Sequence, residues 1–162
     1  MSGIIPLQLD EYYFTRVNIE ANLDFELDDK DDESLVLDSQ CDLEVFQNKK
    51  EKRRWQIRLN FKPKNTDTKS YPYKIDIQVI GFFIVSESVE EGKAPFLVRA
   101  NGTAILYSAL REFVLLITGR GPWPSVSIPT TNFLSLKNQH IESEVVITES
   151  EVVKKVPKRK IK

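Results

Sequence analysis

Between Ala104 and Ile117 the chain reads AILYSALREFVLLI, a helical pattern with almost no polar face. At about 100° per residue its polar positions, Ser108, Arg111 and Glu112, span an arc of roughly 100°, and Ala104 and Leu115 fall inside that same arc. Every other position is apolar: Ile105, Leu106, Tyr107, Ala109, Leu110, Phe113, Val114, Leu116 and Ile117. A helix on an ordinary domain surface buries one stripe, so this one must be covered on more than one side. Asn101 or Thr103 is expected to cap its start, and Gly119 and Gly121 followed by Pro122 to end it.

The rest of the ordered pattern has period two. From Arg16 to Leu27 apolar Val17, Ile19, Ala21, Leu23, Phe25 and Leu27 alternate with polar residues, which predicts a half-buried strand. The acidic run DDKDDES has no apolar face and reads as a solvated loop. Alternation resumes at Cys41, Leu43 and Val45, breaks at the polar turn QNKKEKR, and continues through Trp55, Ile57, Leu59 and Phe61, so a hairpin is expected. A second polar break, KPKNTDTKS, leads to Tyr71, Tyr73, Ile75, Ile77 and Val79. The fold class is therefore α+β, a four-stranded antiparallel sheet with one apolar face and a long helix packed on it. After Val79 the residues Ile80–Val85 are apolar except at Gly81, which marks a bulge or a close backbone approach in a strand buried on both faces.

Sheet and helix thus each carry more apolar surface than a domain of 162 residues uses in one core. Obligate self-association accounts for the surplus, with some of it left open for a partner; the competing reading is an unusual monomer whose helix runs through its centre.

Composition narrows the function. The chain is 41% hydrophobic and 29% charged with a net charge of -1, so no overall field recruits nucleic acid or anionic membrane. The start MSGIIPLQLDEYY lacks the pattern of a signal peptide, and runs such as GFFIV and FVLLI are far short of the ~20 residues that span a bilayer, so a cytoplasmic protein without membrane insertion is expected. One cysteine, Cys41, and one histidine, His140, lie far apart without metal-ligand spacing. There is no phosphate-cradling GxxxxGK[ST] loop, and the acids cluster where nothing points to burial. No enzyme, cofactor or metal is expected.

The stretch LVRANGTAILYSALREFVLLITGRGPWPSVSIPTTNF resembles the signature region of the SecB export chaperones. It carries Ile105, Leu106 and Tyr107 followed by Arg111 and Glu112, then Arg120, Gly121, Trp123 and Pro124, and a crossover closing with Asn132 and Phe133. VNIEA, CDLEV and YKIDIQVIGFFIV resemble the first, second and fourth strands of that family, so the likeness runs from about Tyr12 to Leu136. It implies a SecB-like chaperone domain over 1–140, with 141–162 as a charged C-terminal helix or tail.

The resemblance also implies a function: an ATP-independent holdase that binds unfolded polypeptides in apolar grooves and keeps them soluble for export and translocation. It implies a homotetramer, a dimer of dimers with the long helices between paired sheets. Client-binding positions carried over are Cys41, Leu43, Val45, Tyr73, Ile75, Trp123, Val126 and Ile128. Oligomer-interface positions are Ile77, Val79, Leu106, Leu110, Phe113 and Leu116. Glu20 and Asp76 match acids that dock the translocase ATPase SecA, but Arg16 and Lys74 depart from that face and weigh against docking. Ser108 and Ala109 depart as well, as they would in a divergent SecB-like chaperone dedicated to the antitoxin of a toxin–antitoxin pair. The clients are accordingly preproteins or an antitoxin.

In the tail, SEVV recurs at Ser143 and Ser150 and a short amphipathic helix is expected, ahead of a basic KKVPKRK end read as a solubilising tail. An alternative of another class is an RNA- or single-stranded-DNA-binding module on the basic strand 52–62, where Trp55 and Phe61 lie among Lys52, Arg53, Arg54, Arg58 and Lys62. Strict alternation argues against it, because it turns the aromatic rings away from the arginines.

Overall fold

The computed structural model describes residues 5–26, 35–36, 39–64, 71–131 and 133. Its frame is a four-stranded antiparallel sheet of β1 (Leu7–Ala21), β3 (Ser39–Gln47), β4 (Arg54–Pro63) and β5 (Tyr73–Val85), in the order β1-β5-β4-β3. A second, two-stranded pairing joins β2 (Leu35–Val36) in parallel to β6 (Val126–Ser127). The acidic run 28–34, His140 and the tail 141–162 lie outside the described residues.

The hairpin β3–β4 and the strand β5 sit where period-two alternation places them, but β1 does not. It begins at Leu7 and ends at Ala21, instead of running from Arg16 to Leu27. Register shifts against β5 fall between Leu9 and Glu11 and between Phe14 and Arg16, and each inserts one residue. The apolar positions therefore change phase twice, from Leu7 and Leu9 to Tyr12 and Phe14 and then to Val17 and Ile19, which hides the strand's first half from a period-two reading. Beyond Ala21, Leu23 is 84% exposed in a turn while Phe25 is buried, so the later alternation belongs to a loop.

Cross-strand rows on the apolar face show how the core is graded. Cys41, Phe61, Ile77 and Val17 form one row, Leu43, Leu59, Val79 and Phe14 the next, and Val45, Ile57, Gly81 and Tyr12 a third. The central residues Phe61, Leu59, Ile57, Ile77 and Val79 are wholly buried, whereas Cys41, Leu43 and Val45 at one edge are half-buried and Val17 and Tyr12 at the other are 47% and 43% exposed.

The covering layer is one helical run, Glu91–Thr118. It comprises a 3-10 turn, the short α1 (Ala94–Leu97), a π turn over Val98–Gly102, and α2 (Thr103–Thr118). Helix therefore begins well before Asn101, and no side chain caps α2 at its start. Asn101-Gly102 resembles a helix break in sequence, but Gly102 serves a close approach: a Cβ there would lie 2.6 Å from Ile57 Cδ1. By length and composition this run could cross a membrane, yet Val98, Leu106, Leu110 and Val114 are fully buried in the core. Gly81 likewise marks a close approach, while the bulges lie on β1, on either side of its partner Tyr12.

Expectation and structure differ on the far face of β5. Among the described residues no layer covers it; Ile80 is buried between flanking Tyr13 and Arg58, while Phe82, half-buried, meets Tyr13 edge to face at 6.4 Å.

A Gly81→Ala change would set a Cβ 2.6 Å from Leu106 Cδ2 and 3.0 Å from Phe83 Cε2. It is expected to cost about 1–3 kcal/mol through overpacking, read as a lowered midpoint in urea denaturation with an unchanged slope.

Candidate functional site

After α2 the chain turns back along the helix, and hydroxyl groups fix this crossover at both ends. At its entry the buried Tyr73 hydroxyl lies 3.0 Å from the carbonyl oxygens of both Thr118 and Trp123, to which it donates, and accepts the Trp123 N–H at 3.2 Å. Thr118 Oγ1 donates to the Val114 carbonyl at 2.8 Å and accepts the Val126 N–H at 3.0 Å. Trp123 Nε1 donates to the Asn22 carbonyl at 2.9 Å, and its ring meets Phe25 edge to face at 5.4 Å. At its exit Tyr107 donates to the Pro129 carbonyl at 2.8 Å and Arg111 Nε to that of Ile128 at 2.7 Å. Buried backbone groups in a non-helical segment need such partners, and here they come from side chains of the helix and sheet.

Two apolar surfaces remain open. One is the β3 edge, where half-buried Cys41, Leu43 and Val45 point to the helix face and no strand lies beyond β3 among the described residues. Burial, and then the charge of Asp42, push the Cys41 thiol up to about 11, so it behaves as an apolar packing group. The other surface is the flank of α2 over β1. Phe113 stacks on Phe14 with centroids 4.3 Å apart, and beside it Leu116 and Ile117 are 57% and 39% exposed. Ile105 and Leu115 on the helix, and Tyr12 and Val17 on the strand, are also open.

The expected groove residues therefore divide. Cys41, Leu43, Val45 and Trp123 present surface, whereas Tyr73, Ile75, Val126 and Ile128 are buried in the protomer, because the crossover packs onto them or carries them inward. The expected interface residues divide likewise. Ile77, Val79, Leu106 and Leu110 are buried between sheet and helix, and only Phe113 and Leu116 are accessible. Tyr12, Ile105 and Ile117, open as well, were not among the expected positions. Tyr12 lies beyond a phase slip, and no pattern in the sequence says which side of an all-apolar helix meets the sheet.

On the opposite, polar face, Asp76 is held by two cations, Arg16 at 2.9 Å and Lys62 at 3.3 Å. Glu20 is exposed and faces Lys74 in register. The acids expected to dock a translocase thus stand among basic partners. The basic strand is also committed: Arg58 binds Glu44 at 2.7 Å and covers the Phe46 ring at 5.3 Å, and Arg54 pairs with Glu51 and Asp10. Trp55 and Phe61 are 7% and 0% exposed on the other face, so neither ring can stack on a base. Among the described residues no group of His, Cys, Asp and Glu gathers as a metal site.

Residues 18–144 match the family model of SecB, described as preprotein translocase subunit SecB. Among solved structures, the Mycobacterium tuberculosis Rv1957 SecB-like chaperone in complex with a ChAD peptide from the Rv1956 HigA1 antitoxin is similar at 16% identity. The match covers 78% of this chain and 91% of that one, with a TM-score of 0.49. No curated protein matches the sequence.

Replacing Tyr73 by Phe strips the crossover entry of its shared donor and acceptor. A loss of about 1–3 kcal/mol is expected in urea denaturation. With its thiol raised from 9.0 to about 11, Cys41 should alkylate at pH 8 roughly a hundredfold more slowly in the folded protein than in urea. Because the unfolded chain releases this proton first, the thiol subtracts stability as pH climbs from about 9 toward 11.

Proposed function

Since the chain belongs to the SecB family, we propose that it is an ATP-independent holdase of the cytoplasm that captures unfolded polypeptides on the β3 edge. The observation that carries this reading is that edge itself, where half-buried Cys41, Leu43 and Val45 accompany a strand with no further strand beside it among the described residues. An unfolded client exposes what such an edge takes, apolar side chains and unpaired backbone groups, with no strict sequence required. By holding the unfolded state the protein draws a client away from folding through mass action, without nucleotide.

Self-association belongs to the same reading. The α2 flank with Phe113, Leu116 and Ile117 and the β1 residues Tyr12 and Val17 suit a second copy, in a homotetramer built as a dimer of dimers. Ile77, Val79, Leu106 and Leu110 then support that interface from beneath, as Tyr73, Ile75, Val126 and Ile128 support the client surface.

Between the two classes of client, the ion pairs of Asp76 favour an antitoxin over exported preproteins. Arg16 and Lys62 cancel the acid that a SecA docking face needs, so SecA is not expected to bind.

The test is capture of a reduced, permanently unfolded polypeptide, followed by fluorescence anisotropy. The protein should bind it and ignore the folded form, and Leu43→Glu with Val45→Glu should weaken capture by roughly tenfold or more while circular dichroism stays unchanged. Equal affinity in that double variant would remove the β3 edge as the client site.

A further inference from the structure

The crossover strand β6 is fixed on both sides of its two residues. Val126 N–H is held by Thr118 Oγ1, and Ile128 and Pro129 carbonyls are held by Arg111 and Tyr107. Val126 and Ile128 are buried, which turns the strand so that Ser127, half-buried, lies toward the outside. This is a preformed length of extended backbone with no ordering left to undergo. One edge of it is paired by residues of the same chain, Leu35 with Val126 and Val36 with Ser127, in parallel. Parallel pairing is the weaker kind per residue, and two residues of it form a marginal ladder.

We infer that β6 is a strand-addition site for an extended, unfolded polypeptide segment, and that Leu35–Val36 occupy it in cis until a client displaces them. The inference rests on the holdase reading and adds a second backbone edge to it. Only two residues lie between Val36 and Ser39, the first residue of β3. A client segment that takes the place of β2 on β6 therefore lies within a short reach of the start of β3, and one segment can engage both edges. Recognition through backbone groups suits clients without a common sequence.

A reversible lock tests this. Val36→Cys and Ser127→Cys are introduced with Cys41 kept, because it belongs to the client edge and its thiol, pushed up by burial, exchanges slowly. Directly paired strand residues fall within the roughly 4.4–6.8 Å Cα separation that a disulfide spans. The probe is reduced, carboxymethylated α-lactalbumin, and oxidised and reduced forms of the same protein are compared at equal oligomeric mass. The oxidised form should bind at least about tenfold more weakly, because its competent fraction is removed, and reduction should restore binding. Equal capture in the two forms overturns the inference and leaves the holdase reading standing. Failure of the cysteines to cross-link overturns it too, by removing the pairing. If the wild-type chain captures nothing, the holdase reading falls and this inference with it.

Discussion

Four strands at the usual spacing of about 4.8 Å place the outer two roughly 14 Å apart, whereas a helix with its side chains is about 10 Å across. A single helical layer laid on this sheet covers the middle and leaves the margins. That mismatch orders the molecule. Ile57, Leu59, Phe61, Ile77 and Val79 on the two central strands are sealed, while Cys41, Leu43 and Val45 on one edge and Tyr12 and Val17 on the other are not. The crossover, pinned by Tyr73, Thr118, Tyr107 and Arg111, buries Val126 and Ile128 and closes part of one margin.

The two margins differ in chemistry, and so in what suits them. On the β1 side Phe14 stacks on Phe113 beneath exposed Leu116 and Ile117, a surface of large rings and branched chains that another copy can match. On the β3 side the side chains are smaller and the backbone edge is free, which favours partners recognised by conformation over shape. The polar face adds a further distinction. With Asp76 shared by Arg16 and Lys62, it offers little net attraction to a basic partner.

Much of this architecture was legible because burial writes a period. The unbroken alternation of Trp55, Ile57, Leu59 and Phe61 placed β4 and turned its aromatic rings away from Arg54 and Arg58, and the excess on the helix survives as exposed Leu115, Leu116 and Ile117. Where the period slips, reading failed. Two bulges hid the first half of β1, and a π turn let the helix run through Asn101-Gly102. Depth was illegible for another reason: alternation names the face of Ile75 or Ile77 but not what lies above it. Half of the residues expected to line a groove are buried in the protomer: Tyr73 is tied to a crossover some fifty residues away in the chain, and Val126 and Ile128 are carried inward by that crossover itself.

On the proposed reading, the β1 margin and the flank of α2 are completed by further copies of the chain. Light-scattering mass of the purified protein across a range of concentrations tests it most directly. A mass four times that of the chain, constant on dilution, is what an apolar surface of this extent predicts. A stable monomer at every concentration would contradict it, and would mean that Leu116, Ile117 and Val17 stand in water without a partner copy.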